Sequence, residues 1–408
     1  MSGTLRTQCC VAGGGPAGMM VGHILARAGI EVVVLEKHAD FLRDFRGDTV
    51  HPSTMEALWE LGLLERFLRR PHTPLTQLSG RIGDQVIRVA DFRRLPTHAK
   101  FIAIMPQWEF LDFLAKESAR FPEFSLKMSA EATDIIEQDG RVLGVRANTP
   151  EGPLTIEADL VIAADGRRST LRERAGLAVL DLGAPIDVLW MRLPRRPEDG
   201  NAPLGNIGAG YVMVMIERGD YFQCGFVTAK GGYDAIRAQG LEALRRRIAA
   251  IVPFMADRVS ALSDWDDVKL LSVSVDRLQR WWKPGLLCIG DAAHAMSPVG
   301  GVGINLAIQD AVAAANILAG PLACGRPADA DLAAVQRRRL GPVRAMQAIQ
   351  MFVQNQVMRP LLDADRPLKV PLAARLLDQV AWLRRLPARV VGLGFRPEHV
   401  RAPDAHSR

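Results

Sequence analysis

The segment Gly13-Gly14-Gly15-Pro16-Ala17-Gly18 constrains this chain more than any other stretch. It follows an apolar strand-like run (Gln8–Ala12) and opens a segment (Pro16–Ala28) in which Val21, Ile24, Leu25 and Ala28 recur on one helical face. A second strand-like run, Glu31–Glu36, ends in an acid 18 residues past Gly18. Strand, glycine turn, helix, strand and terminal acid in that order form a dinucleotide-binding βαβ pattern. Gly13 and Gly15 allow the tight turn and the approach of a pyrophosphate, and Gly18 lets helix and strand pack closely. Phosphates then sit at the helix N-terminus, where unpaired N–H groups and the dipole favour anions. Glu36 is placed to accept from ribose hydroxyls, which disfavours a ribose 2′-phosphate there. An ADP-containing cofactor, NAD or FAD, is expected, with Pro16, Ala17 and Lys37 at its edges.

Two further glycine-acid turns decide between them. Ala164-Asp165-Gly166 closes a buried apolar run and precedes Arg167-Arg168. Gly290-Asp291 closes another, followed by Ala292-Ala293-His294 and then Pro298-Val299-Gly300-Gly301-Val302-Gly303-Ile304-Asn305. An acid beside glycine at the carboxyl end of a strand can reach a sugar or ribityl hydroxyl. The glycine loop opens an alanine-rich helix, so its N–H groups can face an electron-rich carbonyl such as a flavin's pyrimidine edge. The combination favours FAD, with Asp165, Gly290, Asp291 and the loop glycines Gly301 and Gly303 placed at it together with the first motif.

The rest of the 408 residues is organised around these turns. Ser53 with Glu56 suggests a capping box opening a helix through Leu61, and Gln107–Arg120 reads as another helix. Ala130–Glu137, Arg141–Ala147 and Leu154–Glu157 read as a small meander, with a separate buried strand at Leu160–Ala164. From about Pro185 to Val275 longer alternating strands take over: Val188–Leu193, Tyr211–Glu217, Tyr221–Thr228 and Val268–Val275, interrupted by a helix at Leu241–Ile251. The expected architecture is α/β: a Rossmann-like, three-layer FAD-binding domain of glutathione-reductase type (1–75, 100–183 and 276–335). Inserted in it is a mostly antiparallel β-sheet substrate domain (76–99 and 184–275), and C-terminal helices (336–408) follow. Alternation puts Tyr211, Met213 and Met215 on one strand face, Tyr221 with Gln223 on another, and Trp190 with Arg192 on a third, a wall suited to a flat apolar ligand.

Charge excludes one tempting class. The net +6 is uneven: residues 336–408 hold 14 Lys and Arg against 5 Asp and Glu, leaving the remaining body with 37 against 40. A nucleic-acid enzyme would carry its basic surface around the working cleft, so no nucleic acid is expected. Arg337-Arg338-Arg339 reads as a solvated helix face, and Leu372–Leu386 as one packed amphipathic helix, with a peripheral membrane contact through the basic region left open. No apolar run suggests a transmembrane segment. Five cysteines without a C-x-x-C pair give neither a disulfide framework nor a zinc site, so no metal is expected and a reducing cytoplasmic setting is the default. An oligomer is equally open.

The three motifs resemble those of the single-component FAD-dependent aromatic hydroxylases typified by p-hydroxybenzoate hydroxylase. That resemblance implies tightly bound, non-covalent FAD, a transient NAD(P)H co-substrate and O2, with hydroxylation of a small aromatic or polyketide-like substrate through a flavin C4a-hydroperoxide. It implies that Arg46 lies near the flavin, that Gln107 contacts its ribityl or phosphate region, that Asp291 binds the ribityl chain, that Gly303, Ile304 and Asn305 offer backbone contacts to the pyrimidine edge, and that His294 is structural. Pro298 would line the reaction site, giving Arg46 and Pro298 catalytic roles. Trp190, Arg192, Tyr211, Met213 and Gln223 are the substrate candidates. A reductase or halogenase of the same fold and a non-enzymatic flavin-binding redox protein stand as alternatives, although Trp281-Trp282-Lys283-Pro284 does not match the W-x-W-x-I-P pattern of tryptophan halogenases.

Overall fold

A computed structural model describes residues 3–42, 49–199, 204–366, 368 and 370–407. The pattern around the first glycine turn folds as a strand (Gly3–Ala12), a helix (Pro16–Arg27) and a parallel strand (Val32–Leu35). Gly3–Ala12 sits between Val32–Leu35 and a long strand, Gly152–Ala163, and both neighbours run parallel to it. Phe124–Lys127 and Leu286–Cys288 extend the parallel sheet on either side. Residues 9–12, 32–35, 160–163 and 286–288 of its strands are buried on both faces, which explains their unbroken apolar runs. The helices Pro16–Arg27 and Gly303–Ala323 share one core with it.

Leu154–Glu157 and Leu160–Ala164 belong to the single strand Gly152–Ala163 rather than to two. From Leu154 to Ala163 it pairs parallel with Gly3–Ala12; its first half also carries an antiparallel hairpin (Glu131–Gln138 and Arg141–Thr149), and its last residues pair with Leu286–Cys288. Amphipathic in one half and fully apolar in the other, one strand gave two sequence signatures.

The second sheet has seven strands in the order Lys269–Leu271, Ile186–Pro194, Tyr221–Ala229, Tyr211–Arg218, Gly205–Gly208, Gln77–Ile82 and Gln85–Asp91. All pairs are antiparallel except Gly205–Gly208 with Gln77–Ile82. Both faces are covered. Leu189, Met191, Met213, Met215, Phe222, Cys224 and Phe226 pack with Leu244 and Ile248 of the helix Leu241–Ile251, forming a separate core. The opposite face carries Val188, Val212 and Val227, which pack with Val299 of the glycine loop. The extended run expected at Val268–Val275 shortens to Lys269–Leu271.

The C-terminal segment is bound into the first core. Arg339, expected on a solvated face, is fully buried in the helix Asp329–Phe352. Its Nε lies 2.9 Å from Asp310 and its Nη1 3.3 Å from Glu398. Asp310, also fully buried, accepts from the Gly290 N–H at 3.1 Å and pairs with His294 Nε2 at 2.5 Å. Burial would raise the Asp310 carboxyl; the charges of His294 and Arg339 reverse this and hold it below the ordinary range. Near the end of the chain, Asp404 pairs with Arg27 at 2.9 Å and the Ala405 N–H donates to the Arg27 carbonyl.

The amphipathic run from Leu372 divides into Leu372–Gln379 and Arg385–Leu393, because Val380 is extended and the chain turns between them. Leu372, Trp382 and Leu386 are exposed. Among the described residues one helix is long and apolar enough to cross a membrane, and 78% of it is buried in the protein.

Removing one member of a buried charge group leaves the others uncompensated, typically at about 3–5 kcal/mol. Arg339→Met is therefore expected to lower the unfolding free energy by about that amount, read from urea denaturation of the holoprotein. An unchanged midpoint would show that Asp310 finds another partner.

Candidate active site

The three glycine-acid turns meet at the carboxyl edge of the parallel sheet. Ala164 N–H donates to the Ala12 carbonyl at 2.7 Å, Gly13 N–H to Leu35 at 2.8 Å and Ile289 N–H to Ala163 at 3.0 Å. The first turn depends on two glycines for opposite reasons. Gly13 has φ +108°, and a β-carbon there would stand 2.3 Å from the Ala164 carbonyl oxygen. Gly15, which precedes the helix Pro16–Arg27, has nothing within 4 Å of a β-carbon position, so the helix N-terminus opens onto free space. Glu36 closes the far side. Its Oε2 accepts from the Gly14 N–H at 3.1 Å and its Oε1 from the His38 N–H at 3.0 Å, while Lys37 is exposed.

The second and third turns are tied together by arginines. Arg167 Nε lies 3.4 Å from Asp291 Oδ2, and Arg172 bridges the carbonyls of Arg167 (2.5 Å) and Ala292 (3.3 Å). Asp165 accepts from the Leu171 N–H at 3.2 Å, and its burial pushes the carboxyl up. In this structure Asp165 shapes its own turn, whereas Asp291 stays partly exposed. Gln107 is half-buried at the start of its helix. Arg46 lies outside the described residues.

The loop from Ser297 to Gly301 is held from behind by residues that no motif marked. Gln350 Nε2 donates to the carbonyls of Ser297 and Val299, both at 2.9 Å, and Gln350 Oε1 accepts from the Ser297 N–H at 3.1 Å. Gln354 donates to the Ser297 hydroxyl, and Gln347 Nε2 to the Asp276 carbonyl at 2.8 Å. These glutamines recur at helical spacing on a buried face, which was the available signal. Pro298 therefore sits half-buried on a stapled loop.

At the other end of that loop Gly301 O accepts from Thr49 Oγ1 at 3.0 Å, and Thr49 Oγ1 lies 3.2 Å from His51 Nε2. His51 Nδ1 donates to the Val391 carbonyl at 2.8 Å, which ties the C-terminal helix to the loop. Asn305 Oδ1 accepts from the hydroxyls of Ser53 and Thr54, leaving its Nδ2 buried without a partner. Ser53 is thus engaged across the site instead of capping its helix, and Glu56 pairs with His98. Gly303 and Ile304 begin the helix behind this loop, both half-buried.

The substrate candidates divide by sheet face. Trp190, Arg192 and Gln223 share the face that carries Val188 and Val227, toward the glycine loop. Trp190 lies across from Gly225, where a β-carbon would stand 2.9 Å from the indole. Arg192 is exposed and stacks over Tyr221 at 5.1 Å. Met213 is corrected: it is fully buried on the opposite face under Leu244 and Ile248, with Met215 and partly buried Tyr211 in the same core. Alternation separated the two faces but could not say which one a helix covers.

The open helix N-terminus at Gly15, the carboxylate of Glu36 and the buried, unpartnered amide of Asn305 fit a bound FAD. Gly15→Val is expected to fold but purify colourless, since its side chain would occupy the phosphate approach. Gly13→Val should fail to fold, because backbone fills the space. Absorbance near 450 nm with far-UV circular dichroism separates the two; a yellow Gly15→Val protein would refute the assignment.

Burial holds His51 and His23 down to about 4, against 6.5 unfolded. The unfolded chain takes up these two protons as pH falls from 6.5 towards 4 and the folded chain does not, so stability is full above that window and lost through it. The urea midpoint should fall between pH 7 and pH 4.5, less steeply in His51→Gln. A wild-type midpoint constant over this range would contradict the assignment.

The FAD binding domain family matches residues 6–349. The 6-methylpretetramide 4-monooxygenase of Streptomyces rimosus is 32% identical over 385 residues, covering 93% of this chain and 92% of its own. The dialkyldecalin synthase of Streptomyces rugosporus is 25% identical, covering 97% of this chain and 81% of its own. Among solved structures, the anhydrotetracycline hydroxylase OxyS from Streptomyces rimosus has the same fold, with a TM-score of 0.72 and 22% identity over 95% of this chain and 76% of that one. On the extent of these matches, the chain belongs to the FAD-dependent aromatic hydroxylases, a family of flavoprotein monooxygenases.

Proposed function

We propose that the protein hydroxylates a polycyclic aromatic, polyketide-like small molecule at the crevice between its two large sheets, using NAD(P)H as reductant and O2 as oxidant. One O2 and one NAD(P)H with a proton yield one hydroxyl group on the substrate, one water and NAD(P)+. The similarity to the 6-methylpretetramide 4-monooxygenase along nearly the whole of both chains carries this reading. The wide apolar sheet face with Trp190 opposite the glycine loop supports it.

FAD, when bound, supplies the electron transfer and oxygen activation. The first turn and Glu36 would hold its adenosine diphosphate part, Asp291 and Gln107 its ribityl region, and Gly301, Gly303, Ile304 and Asn305 its pyrimidine edge. The residues of this chain bind, orient and exclude water. Pro298, on its stapled loop, would form one wall beside the reacting ring, and Trp190 with Gln223 the facing wall. Arg192, at the rim, offers a cation to a phenolate or acidic enol. Closing both walls with apolar side chains keeps water from the reacting atoms. The reduced nicotinamide requirement suits a cytoplasmic setting.

The dialkyldecalin synthase relative favours a second reading, in which the same crevice folds a polyene substrate for ring closure without net oxidation. Incubation with tetracyclic aromatic polyketides, NAD(P)H and 18O2 distinguishes the two. Hydroxylation gives substrate-dependent NAD(P)H consumption and a product carrying one labelled oxygen. An isomeric product without oxygen uptake would establish cyclisation instead. Trp190→Ala is expected to lower kcat/KM at least tenfold while leaving FAD content intact.

A further inference from the structure

We propose that a basic cavity between the strand Gln85–Asp91 and the helix Arg385–Leu393 is a binding site for a dianionic phosphate group. The cavity, about 400 Å³, is lined by Asp91, Arg93, Arg94, Ala381, Arg384 and Arg385. It belongs to neither the glycine turns nor the sheet crevice and does not depend on the reaction proposed above.

Arg384 carries the argument. It is 7% exposed, and its Nε and Nη1 are buried without a hydrogen-bond partner. A guanidinium cannot shed its proton at any ordinary pH, and a buried charge without a counter-ion is costly. The neighbouring carboxylates are already committed. Asp91 accepts from Arg93 Nε at 3.0 Å, Arg93 Nη2 at 2.7 Å, the Arg93 N–H at 3.1 Å and Gln77 Nε2 at 2.9 Å. Asp378, which feels the Arg384 charge, accepts from Arg88 Nε at 2.9 Å and the Arg88 N–H at 3.1 Å. Four guanidinium groups against one carboxylate leave the walls strongly positive.

The walls are also fixed in place. The Asp91 N–H donates to the Arg384 carbonyl at 3.3 Å, and Arg384 immediately precedes the helix Arg385–Leu393. Arg94 and Arg385 are exposed at the rim. A tetrahedral dianion offers enough acceptor oxygens for these three arginines together, where a single carboxylate offers only two. The volume exceeds what bare phosphate fills, leaving room for the organic part of a phosphomonoester. A phosphorylated small molecule and free phosphate share this chemistry.

Isothermal titration calorimetry of the holoprotein in chloride at fixed ionic strength tests the site, with inorganic phosphate and adenosine 2′-monophosphate as probes. Saturable binding of one equivalent is expected, weakened at least tenfold in Arg384→Met and partly restored in Arg384→Lys, with FAD content unchanged. Because Arg384 is buried, the exposed pair Arg94→Gln/Arg385→Gln provides a second variant with the same expected loss, and Arg246→Gln on the helix Leu241–Ile251 serves as a control. Tighter binding of the nucleotide would support a phosphomonoester, and equal binding would support free phosphate. The proposal is overturned if neither probe saturates, or if binding survives unchanged in both Arg384→Met and the rim pair.

Discussion

The Asp310 carboxylate is the constraint on which much of this structure turns. It lies in the helix Gly303–Ala323 and reaches two separate parts of the chain: the turn at Gly290 and His294, and Arg339. A charge with no exposure to water needs its surroundings built around it. The Gly290-Asp291 turn must therefore hold its shape for the pair to form, and the helix Asp329–Phe352 must lie where Arg339 can enter. The turn that carries Asp291 is thus anchored by a different aspartate nineteen residues further on.

A second layer of polar support acts on the glycine loop. Backbone carbonyls at Ser297 and Val299 would be left without donors by so irregular a segment, and Gln350 satisfies both while accepting from Ser297. Gln354 lies in a short π-helical stretch, Val353–Met358, that follows the same helix. Such widened turns often accompany functional sites, and here one brings a side chain onto the Ser297 hydroxyl. From the other side, His51 joins the loop to the Val391 carbonyl. Pro298 is thereby positioned by residues from three widely separated parts of the sequence.

Local chemistry made some of this legible. Gly13, Gly15 and Glu36 form a short-range pattern whose geometry is set within one βαβ unit, and the structure brings them together with Gly290 and Asp291. Helix Leu241–Ile251 was evident in its periodicity and occurs with those bounds. Nonlocal decisions were not legible. Arg339 looks like any arginine in a basic run until Asp310 and Glu398 arrive from elsewhere. Met213 and Trp190 both sit on alternating strands, and only the partners of each face separate a methionine packed under a helix from a tryptophan packed toward the glycine loop. Ser53 had the spacing of a cap, but Asn305, far along the chain, offered its hydroxyl a better partner.

The clasp between Asp404 and Arg27 has a consequence for how the protein comes into being. Arg27 is synthesised early, at the end of the first helix, yet its carboxylate partner emerges hundreds of residues later, whereas Glu398 follows Arg339 by only 59 residues. Domains generally acquire structure from the N-terminal side during translation, but here Arg27 waits for Asp404, while Arg339 meets the already synthesised Asp310. The nascent chain can assemble its parallel strands early. Docking the first helix against Asp404 and Ala405 can follow only after those far-downstream residues have emerged.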